Sequence, residues 1–143
     1  MKKPLMIFAG LTLAVLAARA SSATPVKTVV LEPYGEIANG EKSKVTGKAD
    51  FEVLSDGMTK VTLTLENLPA NSTHALHIHK GDCENQGGIQ VFIPDIVADA
   101  KGTGIIEKLF KTGALAAKSY IYVHKTSTEE GITPEGIACG DLK

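Results

Sequence analysis

The sequence contains no cluster of lysine and arginine, no Cys-x-x-Cys pair and no internal repeat, and beyond its first twenty residues it has no long apolar run. Each absence removes a class of function. Without a basic patch there is no electrostatic footprint for phosphate, so nucleic acid is excluded as a partner. Without cysteines at metal-ligand spacing, a thiolate zinc centre is excluded too. After the N-terminal segment no stretch sustains an apolar period of 3.6 residues, which leaves no helical core to build.

The N-terminus carries the first positive signal. Lys2 and Lys3 precede an apolar run over 5–18, and small residues follow at Ala18-Arg19-Ala20 and Ser21-Ser22-Ala23. This pattern predicts a secretory signal peptide at 1–20, cleaved after Ala20 or Ala23, because roughly fourteen apolar residues fall short of the about twenty that span a bilayer. The remaining domain, 24–143, is expected to be exported to the periplasm or secreted, with no membrane attachment. Loss of Lys2, Lys3 and Arg19 lowers the basic count from 15 to 12 against 16 acidic residues, a net charge of −4. A surface of that sign gives small anions no general attraction.

Cys83 and Cys139 both fall in the exported part, where the redox poise favours an intramolecular disulfide. Such a bridge closes a loop of about 57 residues, for which chain entropy gives a gain of about 4 kcal/mol at the upper side.

Short stretches with period-two alternation recur, divided by Gly, Pro, Asn and Asp. They predict strands at 27–32, 43–54, 59–66, 73–79, 88–97, 103–110, 119–124 and 136–142. Ser55-Asp56-Gly57 and Asp99-Ala100-Lys101-Gly102 suit hairpin turns, and Leu68-Pro69-Ala70-Asn71 breaks a strand. Residues 111–118 have helical composition, but an internal Gly113 limits any helix to a turn or two. Eight short strands in about 120 residues predict an all-β domain, an eight-stranded antiparallel sandwich or flattened barrel with Greek-key links.

All four histidines lie in two of these strands. His77 and His79 are two residues apart and share a strand face, while His74 points to the other face with Leu76 and Ile78. A His-x-His strand is often no more than two polar residues facing water. Here His124, at the end of Ser119-Tyr120-Ile121-Tyr122-Val123-His124, supplies a third imidazole from another strand, enough for a three-nitrogen site with an open position. Neutral imidazoles suit copper and zinc, and the divalent affinity order favours copper. His74 reads as a buried, hydrogen-bonded structural imidazole. Tyr120 and Tyr122 share parity with His124, so either they cover apolar surface beside the sheet or Tyr122 lines the metal pocket.

These residues carry a resemblance. His74-Ala75-Leu76-His77-Ile78-His79 with Gly81-Asp82-Cys83, then Val97-Ala98-Asp99-Ala100-Lys101-Gly102, Tyr122-Val123-His124-Lys125 and Ile137-Ala138-Cys139-Gly140, resemble the copper/zinc superoxide dismutases in order and spacing. The resemblance spans about 43–142. It implies a Greek-key β-barrel, one copper ion on His77, His79 and His124, and a Cys83–Cys139 bridge. A chordin-type repeat also has a His-x-His strand and a closing strand with histidine, and would be a metal-free structural module, but the two cysteines favour the dismutase side.

The departures from that family are equally specific. Its members carry a long loop after the first cysteine with a bridging histidine, two more zinc histidines and a zinc aspartate. Seven residues without histidine separate Cys83 from Val91 here, and Val91-Phe92-Ile93 stands where the aspartate belongs. A zinc site is therefore expected to be absent. Gly136 replaces the substrate-guiding arginine three residues before the second cysteine. The expectation is an exported copper-binding protein with weak or absent superoxide dismutation. The alternatives are a copper-only superoxide dismutase proper and a non-catalytic copper buffer or chaperone.

Overall fold

A computed structural model describes residues 27–143; the predicted signal peptide and both cleavage positions lie outside the described residues. Eight strands run in chain order: β1 (Lys27–Pro33), β2 (Thr46–Val53), β3 (Met58–Glu66), β4 (Thr73–Gly81), β5 (Gln86–Val97), β6 (Gly104–Lys111), β7 (Ser119–His124) and β8 (Gly136–Leu142). They form one antiparallel sheet in the order β5-β4-β7-β8-β1-β2-β3-β6. The sheet curls until its end strands, β5 and β6, approach each other, which makes a nearly closed barrel. No helix among the described residues is long and apolar enough to cross a membrane.

Alternation explains the strands that face water on one side. In β3, Val61, Leu63 and Leu65 are fully buried while Lys60, Thr62 and Thr64 are only partly covered. Each of those aliphatic side chains contributes about 1.5–3 kcal/mol by leaving water. The hairpins use side-chain acceptors. Asp56 Oδ1 takes the N–H of Met58, and Asp99 Oδ1 takes those of Lys101 and Thr103.

Two local expectations shift. The strand expected to start at 43 begins at Thr46, because Ser43 Oγ donates to Ile137 O at 2.6 Å and accepts the Val45 N–H, turning the chain before pairing starts. The helical composition of 111–118 yields only a 3-10 turn at Thr112–Ala114. That turn buries nothing, so no packing gain offsets the cost of nucleating a longer helix.

β4 and β7 depart from half-burial. Residues 74–79 and the whole of β7 are buried on both faces. On the inner face Leu76, Ile78, Ile121 and Val123 join the barrel core. On the outer face lie His77, His79, Tyr120, Tyr122 and His124, all buried as well. Part of their cover is a small second cluster of Tyr120, Tyr122 and Cys139 with Tyr34 and Cys83 packed against it. Cys83 and Cys139 are joined as a disulfide with Cα atoms 6.0 Å apart, which ties the β4–β5 connection to β8. The Cys83 N–H also donates to Asp141 Oδ1 at 2.8 Å.

Candidate metal centre

Pairing of β4 with β7 sets His77 opposite Tyr122 and His79 opposite Tyr120, with His124 one pleat further along the same face. One ring nitrogen from each of His77, His79 and His124 then lies within 4.8 Å of the other two. Among the described residues no carboxylate or thiol joins this group.

Hydrogen bonds decide which nitrogens are free. His79 Nδ1 lies 2.9 Å from Gly87 O, and His124 Nδ1 lies 2.8 Å from Thr133 O. A carbonyl carries no proton, so both Nδ1–H groups donate, and each ring keeps its lone pair on Nε2. His79 Nε2 is a buried polar atom with no partner at all. His124 Nε2 faces His77 Nδ1 at 3.1 Å, a contact that in the metal-free protein needs one proton between the two rings.

Burial, followed by the nearby His124 and His79 rings, pushes the His77 imidazole down to about 4. Burial also lowers His124, against the opposing effect of its bond to Thr133 O. Both rings are therefore neutral at pH 7, the state in which imidazole binds metal. Nitrogens on one ion at about 2.0–2.1 Å are at most about 4.2 Å apart, so a spacing of up to 4.8 Å closes with a small rotation of the rings. The orphaned Nε2 of His79, the neutral His77 and His124 rings and this spacing fit a single ion held by one nitrogen of each imidazole.

His74 lies apart from the trio. It is buried, its Nδ1–H is shared between His124 O and Lys125 O at 3.1 Å each, and its Nε2 lies 2.8 Å from Ser72 Oγ. It thus grips the backbone at His124 and Lys125 without offering a free nitrogen. Tyr122 is 3% exposed, sets its ring edge-on to His124 at 5.0 Å between centroids and donates its hydroxyl to Pro134 O. A Cβ on Gly136 would fall 2.2 Å from the Tyr122 ring, so only glycine permits this placement. Sequence reasoning missed Phe92, whose ring meets His77 at 5.1 Å, and the carbonyls of Gly87 and Thr133. Alternation in β5 puts Phe92 on the face opposite Val91 and Ile93, but its partner across the ladder is set by the register.

The solved structures place the architecture. A double mutant of a SOD-like protein from Bacillus subtilis superposes with a TM-score of 0.50 at 14% identity, over 80% of this chain and 95% of that one. The fold is SOD-like. A second structure of a SOD-like protein from Bacillus subtilis gives a TM-score of 0.49 at 13% identity, covering 81% of this chain and 97% of that one. No protein-family model matches the sequence, and no curated protein does. On this SOD-like barrel the β4–β5 connection is a tight turn. Asp82 Oδ1 accepts the N–H groups of Glu84 and Asn85, and the chain has already entered β5 at Gln86.

Proposed function

We propose that this chain is an exported copper-binding protein that holds one copper ion on His77, His79 and His124 of a SOD-like barrel. The buried, unpartnered Nε2 of His79 carries the reading, because such a lone pair costs about 1–3 kcal/mol unless something coordinates it. Copper fits three neutral nitrogens better than the other divalent first-row ions at equal availability. A bound copper supplies one-electron chemistry. The chain's own part is to fix the donor atoms through Gly87 O and Thr133 O and to keep bulk water from them. Superoxide is the substrate in the enzymatic form of this proposal. Weak turnover follows, since no side chain projects from Gly136 and the exported domain is net acidic. The Cys83–Cys139 disulfide supports an oxidising compartment.

Titration of untagged protein with copper tests the assignment. Uptake of one equivalent is expected, with at least a hundredfold loss of affinity in His77→Ala and in His124→Ala, while His74→Ala lowers the melting temperature and still binds. If His77→Ala and His124→Ala bind copper like the parent, the site is wrong. A dismutase assay on the copper-loaded parent then separates a weak enzyme from a buffer or chaperone.

A further inference from the structure

Each of the three histidines has its own aromatic partner. Phe92 meets His77 edge-to-face at 5.1 Å, Tyr120 stacks on His79 at 5.1 Å with an interplanar angle of 24°, and Tyr122 meets His124 edge-to-face at 5.0 Å. Tyr120 and Tyr122 are themselves buried, whereas Phe92 is 65% exposed and sets its ring against the buried His77. The Tyr122 hydroxyl is committed to Pro134 O, and no carboxylate or thiol belongs to the donor group among the described residues. The three rings thus make an aromatic collar about the histidine group, whose donors are one nitrogen from each imidazole.

A collar of this kind discriminates between oxidation states. Cu(II) prefers a tetragonal set of four or more donors, while Cu(I), with a filled d shell, has no such demand. A dication among neutral ligands in a dry site also bears a far larger desolvation cost than a monocation. The apolar shell around a metal is a lever on its potential for both reasons.

Resting on the copper reading above, we infer that Phe92, Tyr120 and Tyr122 exclude a fourth donor, so that the site holds Cu(I) in preference to Cu(II). One electron from a small-molecule reductant such as ascorbate converts bound Cu(II) to Cu(I), and no protein bond is made or broken. Phe92 is the member of the collar that can be removed without opening the barrel core, because most of its surface already faces water.

The test compares copper-loaded parent, Phe92→Ala and Phe92→Leu by voltammetry, and reads water on Cu(II) by proton relaxation. Phe92→Ala is expected to lose at least tenfold in the ratio of Cu(I) to Cu(II) affinity, a fall of about 59 mV, and to admit an exchangeable water. Phe92→Leu keeps an apolar cover and stays near the parent. An unchanged potential in Phe92→Ala overturns the inference, as does exchangeable water on Cu(II) in the parent. A parent protein that takes up copper in neither state overturns the metal reading itself, and uptake is measured before any potential.

Discussion

On β4, Leu76 and Ile78 point into the barrel and His77 and His79 point away from it, yet His77 is 2% exposed where Ile78 is 0%. Adjacent residues of one strand are thus equally dry and chemically opposite. The inner face is hydrocarbon packed on hydrocarbon. The outer face is imidazole and phenol roofed by Tyr34 and a disulfide. Burial on the inner face stabilises the fold, and burial on the outer face disfavours the protonated forms of His77 and His124.

The sharpest way to separate the faces is to damage one and read the other. Ile78→Ala removes a fully buried side chain between His77 and His79 and is expected to cost about 2–5 kcal/mol in chemical denaturation. The folded fraction should still take up one copper. Loss of copper uptake by protein that is demonstrably folded would show that the two faces are not independent.

Gly136→Ala tests the outer face by overfilling it. The new Cβ would fall 2.2 Å from the Tyr122 ring, and forcing that ring to move is expected to cost about 1–3 kcal/mol. In a Tyr122→Ala background the same change should cost much less, because the clash partner is gone. Additive losses in the double variant would place the cost elsewhere.

The smallest expected effect is on pH dependence. In the metal-free protein His77 titrates near 4, against 6.5 when unfolded. Between those values the unfolded chain binds a proton that the folded protein does not, so stability falls as pH drops from 6.5 toward 4 and gains nothing from this group above 6.5. Denaturation midpoints at pH 7 and pH 5 should therefore converge in His77→Gln relative to the parent. An equal pH response in both proteins would remove His77 as the cause.

Much of this was legible from side-chain type and parity. Val61, Leu63 and Leu65 announce a half-buried strand, and His77 with His79 announces a shared face. Tyr122 is placed near His124 by counting. The details that turn a face into a site are backbone properties. Gly87 O and Thr133 O choose which nitrogen of each ring is free, and any residue type at those positions could present the same carbonyl. Phe92 reaches His77 through a β4–β5 ladder whose register shifts between His74 and Leu76 and again between Ile78 and His79. Irregularities of that kind have no local sequence signature. The short start of β2 was hidden for a related reason, since Ser43 is diverted by Ile137, 94 residues away.

The pairing of β4 with β7 also sets the order of events in the life of the chain. His77 and His79 are local to one strand, but His124 reaches them only after β5 and β6 have been laid down between β4 and β7. An unfolded chain therefore offers an ion a weak two-armed grip, and the third arm arrives with one of the longest loop closures in the fold. Occupation at a thousand times the dissociation constant would add about 4 kcal/mol to the native state. A bound ion would then report completed folding as well as staple it, and a chain caught before β7 docks would hold an ion only by that weak grip.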